Sequence, residues 1–555
     1  MNRVSRFVLA NPREKKHTST SRLNPMKATN RLALFLALCF ATFAAACGGG
    51  DSPPTPPPPT GGFSNASLKG QYAFFMSGTN VGTGAFFARI GSFTADGSGN
   101  ITTGLEDVDV NGPETIQFSP SSYTILANGR GTINLVNSTG NIAFSVTMLS
   151  ATEGLIVETD GFATGSGHFF LQDANAFANG FNGNYAFDVS GVDFTGGAFG
   201  VPDSIVGQFV SNGSGGLGGL LDENDNANPT GAQPISGSFQ ADPSNNTDFG
   251  RGEMTFVANG TTYNYVYYVV SASRLVLIEN SNNSGVLTAG TAVAQSSVPV
   301  SNNTFNGSFV FLTSGSGTIG PLTRIGRFNA NGGGLTSLFA DTNDSGSTAQ
   351  VPKGALSNAS YLIDTVFPGS GRGTLTFTDS SLGTYSFVFY LSSASSGVIQ
   401  DITTTNSGGN VGDGFLQLQT GAQFSIAGLA GDYGLNFPGV SHNSNTTATA
   451  EEDYVGQITF VSASAGGNVS GAVDFSEFSS NQGFFLDVVV SGNGLSIGGD
   501  GSTSSGTRNA LSLKLNTNPS STLNFVPYIV DSQHMFVAGT DNNRVISGII
   551  TLQNP

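Results

Sequence analysis

One pattern constrains this chain more than any other: it opens and closes four times. Gly70-Gln71-Tyr72-Ala73-Phe74, Gly183-Asn184-Tyr185-Ala186-Phe187, Gly307-Ser308-Phe309-Val310-Phe311 and Gly431-Asp432-Tyr433-Gly434-Leu435 share glycine, any residue, an aromatic, any residue and an apolar residue. Each opening is followed by a closing in which glycine stands five places before glutamine: Gly167/Gln172, Gly290/Gln295, Gly414/Gln419 and Gly548/Gln553. Strict alternation of openings and closings means tandem units. At 555 residues the chain is also too long for one core. The expected boundaries are 63–172, 177–295, 300–419 and 424–555.

Within each repeat the landmarks keep their order. Ile90-Gly91, Val206-Gly207, Ile325-Gly326 and Val455-Gly456 are expected to start the second strand. A turn follows: "ADGSGN" at 95–100, "SNGSGG" at 211–216, "ANGGGL" at 330–335 and a looser "SAGGN" at 464–468. Asp-Gly and Asn-Gly accept the positive φ that a tight hairpin needs. Runs such as Ile142, Phe144, Val146 and Met148 alternate with period two, so one strand face is buried. About eight such runs fill the first repeat, and no stretch has the capped 3.6-residue period of a helix. With 77 glycines, 43 phenylalanines and no tryptophan, the composition suits folded all-β structure with many turns.

Eight strands in a meander can close into a barrel and leave no exposed edge. The fold class predicted is therefore all-β, with four tandem antiparallel meander barrels; an immunoglobulin-like β-sandwich is the alternative. The glycine-x-aromatic opening is similar to the start of lipocalin-like barrels, with Tyr or Phe in the place usually held by Trp. That resemblance implies a barrel in each repeat.

The N-terminus reads as an address. "MKATNRLALFLALCFATFAAAC", from Met26 to Cys47, has a basic start at Lys27 and Arg31, an apolar run, and small residues at Ala44-Ala45-Ala46. Residues 1–46 are thus an extension and signal peptide, the signal occupying 26–46, with Met26 as the expected start. The segment resembles a bacterial lipoprotein signal whose lipobox is Ala44-Ala45-Ala46-Cys47, with alanine where leucine is more usual. The resemblance implies cleavage before Cys47 and lipidation of that cysteine, so acyl chains supply the membrane anchor. Gly48, where an aspartate would retain the protein, resembles the outer-membrane sorting pattern. Residues 47–62 are then the lipidated cysteine and a Pro/Gly tether. The whole layout resembles lipid-anchored repeat proteins of soil bacteria with no assigned biochemical function.

Charge excludes one class of partner. Residues 1–46 hold eight of the 20 Lys and Arg and one of the 37 acids, which leaves 12 bases against 36 acids, a formal net of −24. Such a surface repels nucleic acid. Cys39 and Cys47 are the only cysteines, so the repeats contain no disulfide, thiolate metal site or cysteine nucleophile.

Two sets of residues stand out as candidate sites. Gly-Arg-Gly recurs with Arg130, Arg251 and Arg372, and Arg508 of "GTRNAL" reads as a fourth member. A phosphate loop would need a helix after the glycines. Here another strand follows, so the arginines read as a structural corner, at an exposed tip or folded over the barrel end, beside a carboxylate or an aromatic face. The second set is acidic: Asp107, Asp109 and Asn111; Asp222, Asn224 and Asn226; Asp341, Asn343 and Ser345. Oxygen ligands at alternate positions resemble the first half of a calcium loop. The twelfth positions, Phe118, Gln233 and Pro352, lack the carboxylate that completes one. The expectation is ordinary turn chemistry with, at most, a weak Ca2+ site and no other cofactor. Asp474 and Glu477 of the fourth repeat match less well.

Tyr263, Tyr265 and Tyr267 share a strand face, as do Phe387 and Phe389; a packed core or a small apolar ligand would each use such a stripe. His168, His442 and His534 occupy no equivalent places, and nothing marks two carboxylates as a catalytic pair. The function expected is non-catalytic: a lipid-anchored outer-membrane protein, periplasmic or surface-exposed, whose repeats serve weak binding to an envelope or extracellular ligand, adhesion or spacing. A carrier of small apolar molecules inside the barrels and an envelope hydrolase with a carboxylate pair are the alternatives.

Overall fold

In the first strand, Lys69–Asn80, Tyr72, Phe74 and Met76 point into one core while Ala73 and Phe75 point to the opposite face. The computed structural model describes residues 62–555 apart from 111, 180, 196–199, 245, 281–284, 300, 406–407, 422–423, 443–448, 462–467, 479–482 and 498–507. The signal, Cys47 and nearly all of the tether lie outside the described residues, as does Asn111.

Each repeat is one antiparallel meander sheet wound on itself. In the first, eight strands from Lys69–Asn80 to Ala163–Leu171 pair in sequence order, and the last returns to the first, Tyr72 opposite Leu171. The second closes in the same way between Asn182–Asp193 and Val286–Ala294. In the third the fourth strand is split: Ser347–Val351 pairs with the third strand and Leu356–Ile363 with the fifth. Pro352 has no N–H to donate between the two pieces, and Asp379 instead accepts the N–H groups of Lys353 and Gly354. In the fourth the first strand is split around Pro438 into Gly431–Phe437 and Gly439–His442, and the sheet still closes against Arg544–Leu552. Among the described residues no repeat forms the two facing sheets of a sandwich.

The glycines expected to start the second strand sit in its middle, because strands one and two pair without a break from Lys69/Asp96 to Thr79/Phe86. Their role is close approach. A Cβ on Gly91, Gly207 or Gly326 would meet the ring of Phe74, Phe187 or Phe311 at 2.5–2.6 Å. In these three repeats the phenylalanine that ends the opening motif therefore lies across the second strand, and only glycine leaves room for it.

Aromatic side chains pack the interiors. Tyr72, Phe74, Phe93, Phe144 and Phe169 pack together in the first barrel, and Phe305, Phe309, Phe328 and Phe389 in the third. Tyr263, Tyr265 and Tyr267 are buried in the second core, as Phe387 and Phe389 are in the third. One short helix, Ala174–Asn179, joins the first two barrels. No helix among the described residues is long and apolar enough to cross a membrane.

Candidate functional site

The outer faces of the barrels carry the chemistry. In each Gly-Arg-Gly corner the first glycine turns at positive φ, +82° at Gly129, +71° at Gly250 and +73° at Gly371. Its carbonyl accepts an N–H from the sixth strand, from Met148, Val269 and Leu391 respectively. The arginine that follows starts the fifth strand with its side chain pointing away from its own core. It is not at an exposed tip or a barrel end: Arg130 and Arg251 are only 4% and 6% exposed. What covers them is another barrel.

Arg251 of the second barrel reaches Asp107 of the first through Nε and Nη2, at 2.8 and 2.7 Å, and Tyr268 donates its hydroxyl to the same carboxylate at 2.7 Å. The arrangement repeats one barrel on. Arg372 holds Asp222 at 2.7 Å through both nitrogens, with Tyr390 donating at 2.6 Å. Arg508 holds Asp341 at 2.7 and 2.6 Å, with Tyr528 donating at 2.7 Å. The fourth contact closes the series: Arg130 of the first barrel bonds Asp474 of the fourth at 2.6 Å and Asp487 at 2.8 Å. There the place of the tyrosine belongs to Thr147, which pairs with Arg130 in the ladder as Tyr268 pairs with Arg251.

The alternate residues of the acidic patches share a strand face, and that face meets the next barrel. Asn224 donates to the carbonyls of Asp401 and Asn410, and Asn343 to those of Gly539, Asp541 and Arg544. Asp109 caps the N–H of Gly112. Asn226 and Ser345 turn at positive φ, 49° and 51°, as hairpin residues. With both oxygens of Asp107, Asp222 and Asp341 bonded to a guanidinium, a cation at these positions would have to displace the arginine. Among the described residues no group of three or more His, Cys, Asp or Glu is arranged to hold a metal ion.

The closing glutamines reach across the same interfaces. Nε2 of Gln172 donates to the carbonyls of Phe249 and Val269, that of Gln295 to Ser370 and Leu391, and that of Gln419 to Ile529. Gln553 donates to Asn128 and Met148 of the first barrel, which again closes the cycle. Around these bonds lie apolar seams. Val266, Tyr268 and Ile278 pack on Ala73, Ile90 and Leu105; Val388 and Tyr390 on Val206 and Leu220; Val526 and Tyr528 on Val310 and Ile325. Leu149, Leu155 and Val157 of the first barrel meet Val455 of the fourth. Each barrel thus docks the outer face of its fifth to seventh strands on the first to third strands of its predecessor. Such a head-to-tail contact either runs on or closes. Here it closes after four copies.

Burial opposes the Arg251 charge, yet the bond to Asp107 and its charge outweigh that cost and hold the guanidinium above its usual range. Tyr268 is pushed up by burial first and by Asp107 second, so it stays a donor at any physiological pH. The latch is a charge-assisted contact with its polarity fixed.

The histidines are elsewhere. His168 stacks on Phe170 with centroids 5.8 Å apart and lies 3.7 Å from Glu153. His534 bonds Asp531 at 2.9 Å, which raises its pKa. Nothing is described of the His442 side chain.

No protein-family model matches the chain, and no curated protein is similar to it. Among solved structures, a double mutant of transferrin binding protein B from Haemophilus parasuis Hp5 is similar at 11% identity. That alignment covers 73% of this chain and 84% of that one, with a TM-score of 0.19. The isotype 1 protein of the same name from serogroup B Neisseria meningitidis gives 10%, 73%, 83% and 0.19. Likeness this low leaves function to be argued from the chain itself.

Proposed function

We propose that this is a non-catalytic, lipid-anchored protein of the cell envelope that presents weak binding surfaces from one closed body of four barrels. The observation that carries the proposal is the Arg130–Asp474 contact, through which the last barrel returns to the first. A linear spacer would leave its end faces open. A closed cycle instead fixes the loops of all four barrels relative to one another, and sites fixed in this way gain avidity when one ligand meets several of them.

Aromatic packing inside the first and third barrels counts against carriage of an apolar molecule there. Against hydrolysis stands the use of the shared arginine–aspartate sets as latches between barrels, where both partners are covered. The anchor is Cys47, with the outer membrane as its destination, and the partner is an envelope or extracellular ligand other than nucleic acid.

The test combines anchoring with adhesion. Cells expressing the full chain are fed an alkyne fatty acid, fractionated, and compared with a Cys47→Ala strain for labelling and for attachment to extracellular matrix or neighbouring cells. Label on the wild type alone, with attachment lost in the variant, is the expected result. Equal labelling of both strains would overturn the anchor, and equal attachment with and without the protein would overturn the binding role.

A further inference from the structure

Three of the four barrels carry an arginine inside. Arg89, just before Ile90-Gly91, lies 2.6 Å from Glu106 and 3.6 Å from Glu158. Arg324, at the same place in the third repeat, pairs with Asp401 and sits 4.5 Å over the ring of Tyr385. In the fourth barrel Tyr454 takes that place, and Arg544 from the eighth strand bonds Glu452 at 3.0 Å. In each of these three barrels a buried carboxylate thus meets a guanidinium from the same barrel.

The second barrel keeps the carboxylates and lacks the arginine. Ile205 stands where Arg89 and Arg324 stand. Glu279 is the counterpart of Glu158 and Asp401, since it pairs with Tyr265 as they pair with Phe144 and Phe387. Tyr263 is likewise the counterpart of Tyr385, the ring under Arg324. Four further acids gather at this end. Asp203 is opposite Asp225 in the ladder, Glu223 is two residues from Asp225 on the same inward face, and Asp193 ends the neighbouring strand. Asp203 is 2% exposed, and neither of its carboxylate oxygens has a hydrogen-bond partner.

No base of this barrel is within its own interior. Between residues 182 and 294 the only Lys or Arg are Arg251 and Arg274. Arg251 is spent on Asp107, and Arg274 lies 4.3 Å over the ring of Phe170, both in the first barrel. Without a counter-charge, burial and then the charges of Glu223, Asp225 and Asp193 push the Asp203 carboxyl well up, and Glu223 and Asp225 are raised too, by burial first.

We propose that this end of the second barrel binds an organic cation, a guanidinium or primary ammonium group, held by Asp203, Glu223 and Asp225 over the ring of Tyr263. The planar, forked donor set of a guanidinium suits carboxylates beside an aromatic face: Arg89 meets Glu106 and Glu158 in the first barrel, and Arg324 meets Asp401 over the ring of Tyr385 in the third. A hard metal ion is a poorer occupant, because it needs six or more oxygens converging on one point, and no metal-holding group occurs among the described residues.

The site is tested by calorimetric titration of the intact protein with agmatine, 1,4-diaminobutane and calcium chloride separately. Agmatine or the diamine is expected to bind once per chain. The affinity should fall at least tenfold in Ile205→Arg, which supplies the missing guanidinium from within, and equally in Asp203→Asn. The two variants approach the site differently, so failure of one to fold leaves the other informative; circular dichroism and unfolding midpoints establish folding. Absence of saturable binding by either organic cation would overturn the proposal. Binding unchanged in the folded variants would overturn it as well, and so would calcium binding at these residues with no effect of agmatine.

Discussion

Arg130 and Asp474 stand 344 residues apart in sequence and 2.6 Å apart in space, each side chain 5% exposed. The backbone N–H of Asp487 donates to the same Asp474 oxygen at 2.7 Å, so the carboxylate is held from two sides. Arg130→Ala removes the guanidinium bonded to Asp474 and leaves a buried charge. The expected cost is about 3–5 kcal/mol, larger than for an exposed ion pair. Denaturant midpoints measure it. Hydrogen exchange should also quicken in Asn468–Glu477 and Arg130–Asn137 while the second–third interface keeps its protection. A loss below about 1 kcal/mol would mean that the closing contact contributes little.

The three tyrosine hydroxyls should behave alike. Tyr268→Phe, Tyr390→Phe and Tyr528→Phe each remove one bond to a carboxylate that an arginine still holds, at an expected cost of about 1.5–3 kcal/mol. In the first barrel the equivalent position is already without that bond: Thr147 Oγ1 is buried with no partner. Thr147→Val should therefore be neutral or stabilising, because it removes a buried hydroxyl and keeps the shape. Unfolding midpoints of the four variants decide, and a large loss in Thr147→Val would contradict the assignment.

The closing glutamines act as donors, which makes charge at these positions the informative change. Gln172 faces the carbonyls of Phe249 and Val269 and accepts from Ser92. Gln172→Glu places a carboxylate against two acceptors, whereas Gln172→Ala only leaves them unpaired. Both should destabilise, the first by more than about 2 kcal/mol. If Gln172→Glu equals the wild type in a thermal melt, the amide is not acting as a donor.

The barrels were legible because their signals are local. Alternation, Asn-Gly turns and glycines under aromatic rings each act within a few residues or one strand pair. The cycle was not, because it depends on the outer faces of strands from different repeats. A signal for it exists: "YNYVYYVV" is apolar on both faces, with Tyr263, Tyr265 and Tyr267 inward and Val266, Tyr268 and Val270 against the first barrel. A strand of a solvated barrel would not carry the second stripe. The carboxylate partner expected for the Gly-Arg-Gly corners was already on the page as the acidic patches, yet sequence alone could not pair Asp107 with Arg251 across two repeats. Asp474, the weakest member by the calcium pattern, is the one that closes the set, because the contact needs a single aspartate and no calcium spacing. The acidic end of the second barrel was missed altogether; its signal is Ile205 in a column otherwise held by Arg89, Arg324 and Tyr454.

Two carboxylates facing each other make the second–third interface sensitive to pH. Asp188 is pushed up to about 8 by burial first and by the charge of Asp413 second, and Asp413 rises as well, through burial. Thr291 donates to Asp188, and Ser190 and Ser204 face Asp413. The folded protein therefore keeps a proton here that the unfolded chain releases near an ordinary carboxylate pKa of about 4. Raised native values mean that the contribution to stability is full below that point and is lost as pH rises through about 8. Glu451 and Asp453 at the fourth–first interface are shifted the same way, so they add to the trend. The urea midpoint should fall between pH 5 and pH 8.5, and Asp188→Asn should shrink that fall by removing one of the two charges. A midpoint drop as large in Asp188→Asn as in the wild type would show that the pair does not carry the pH dependence.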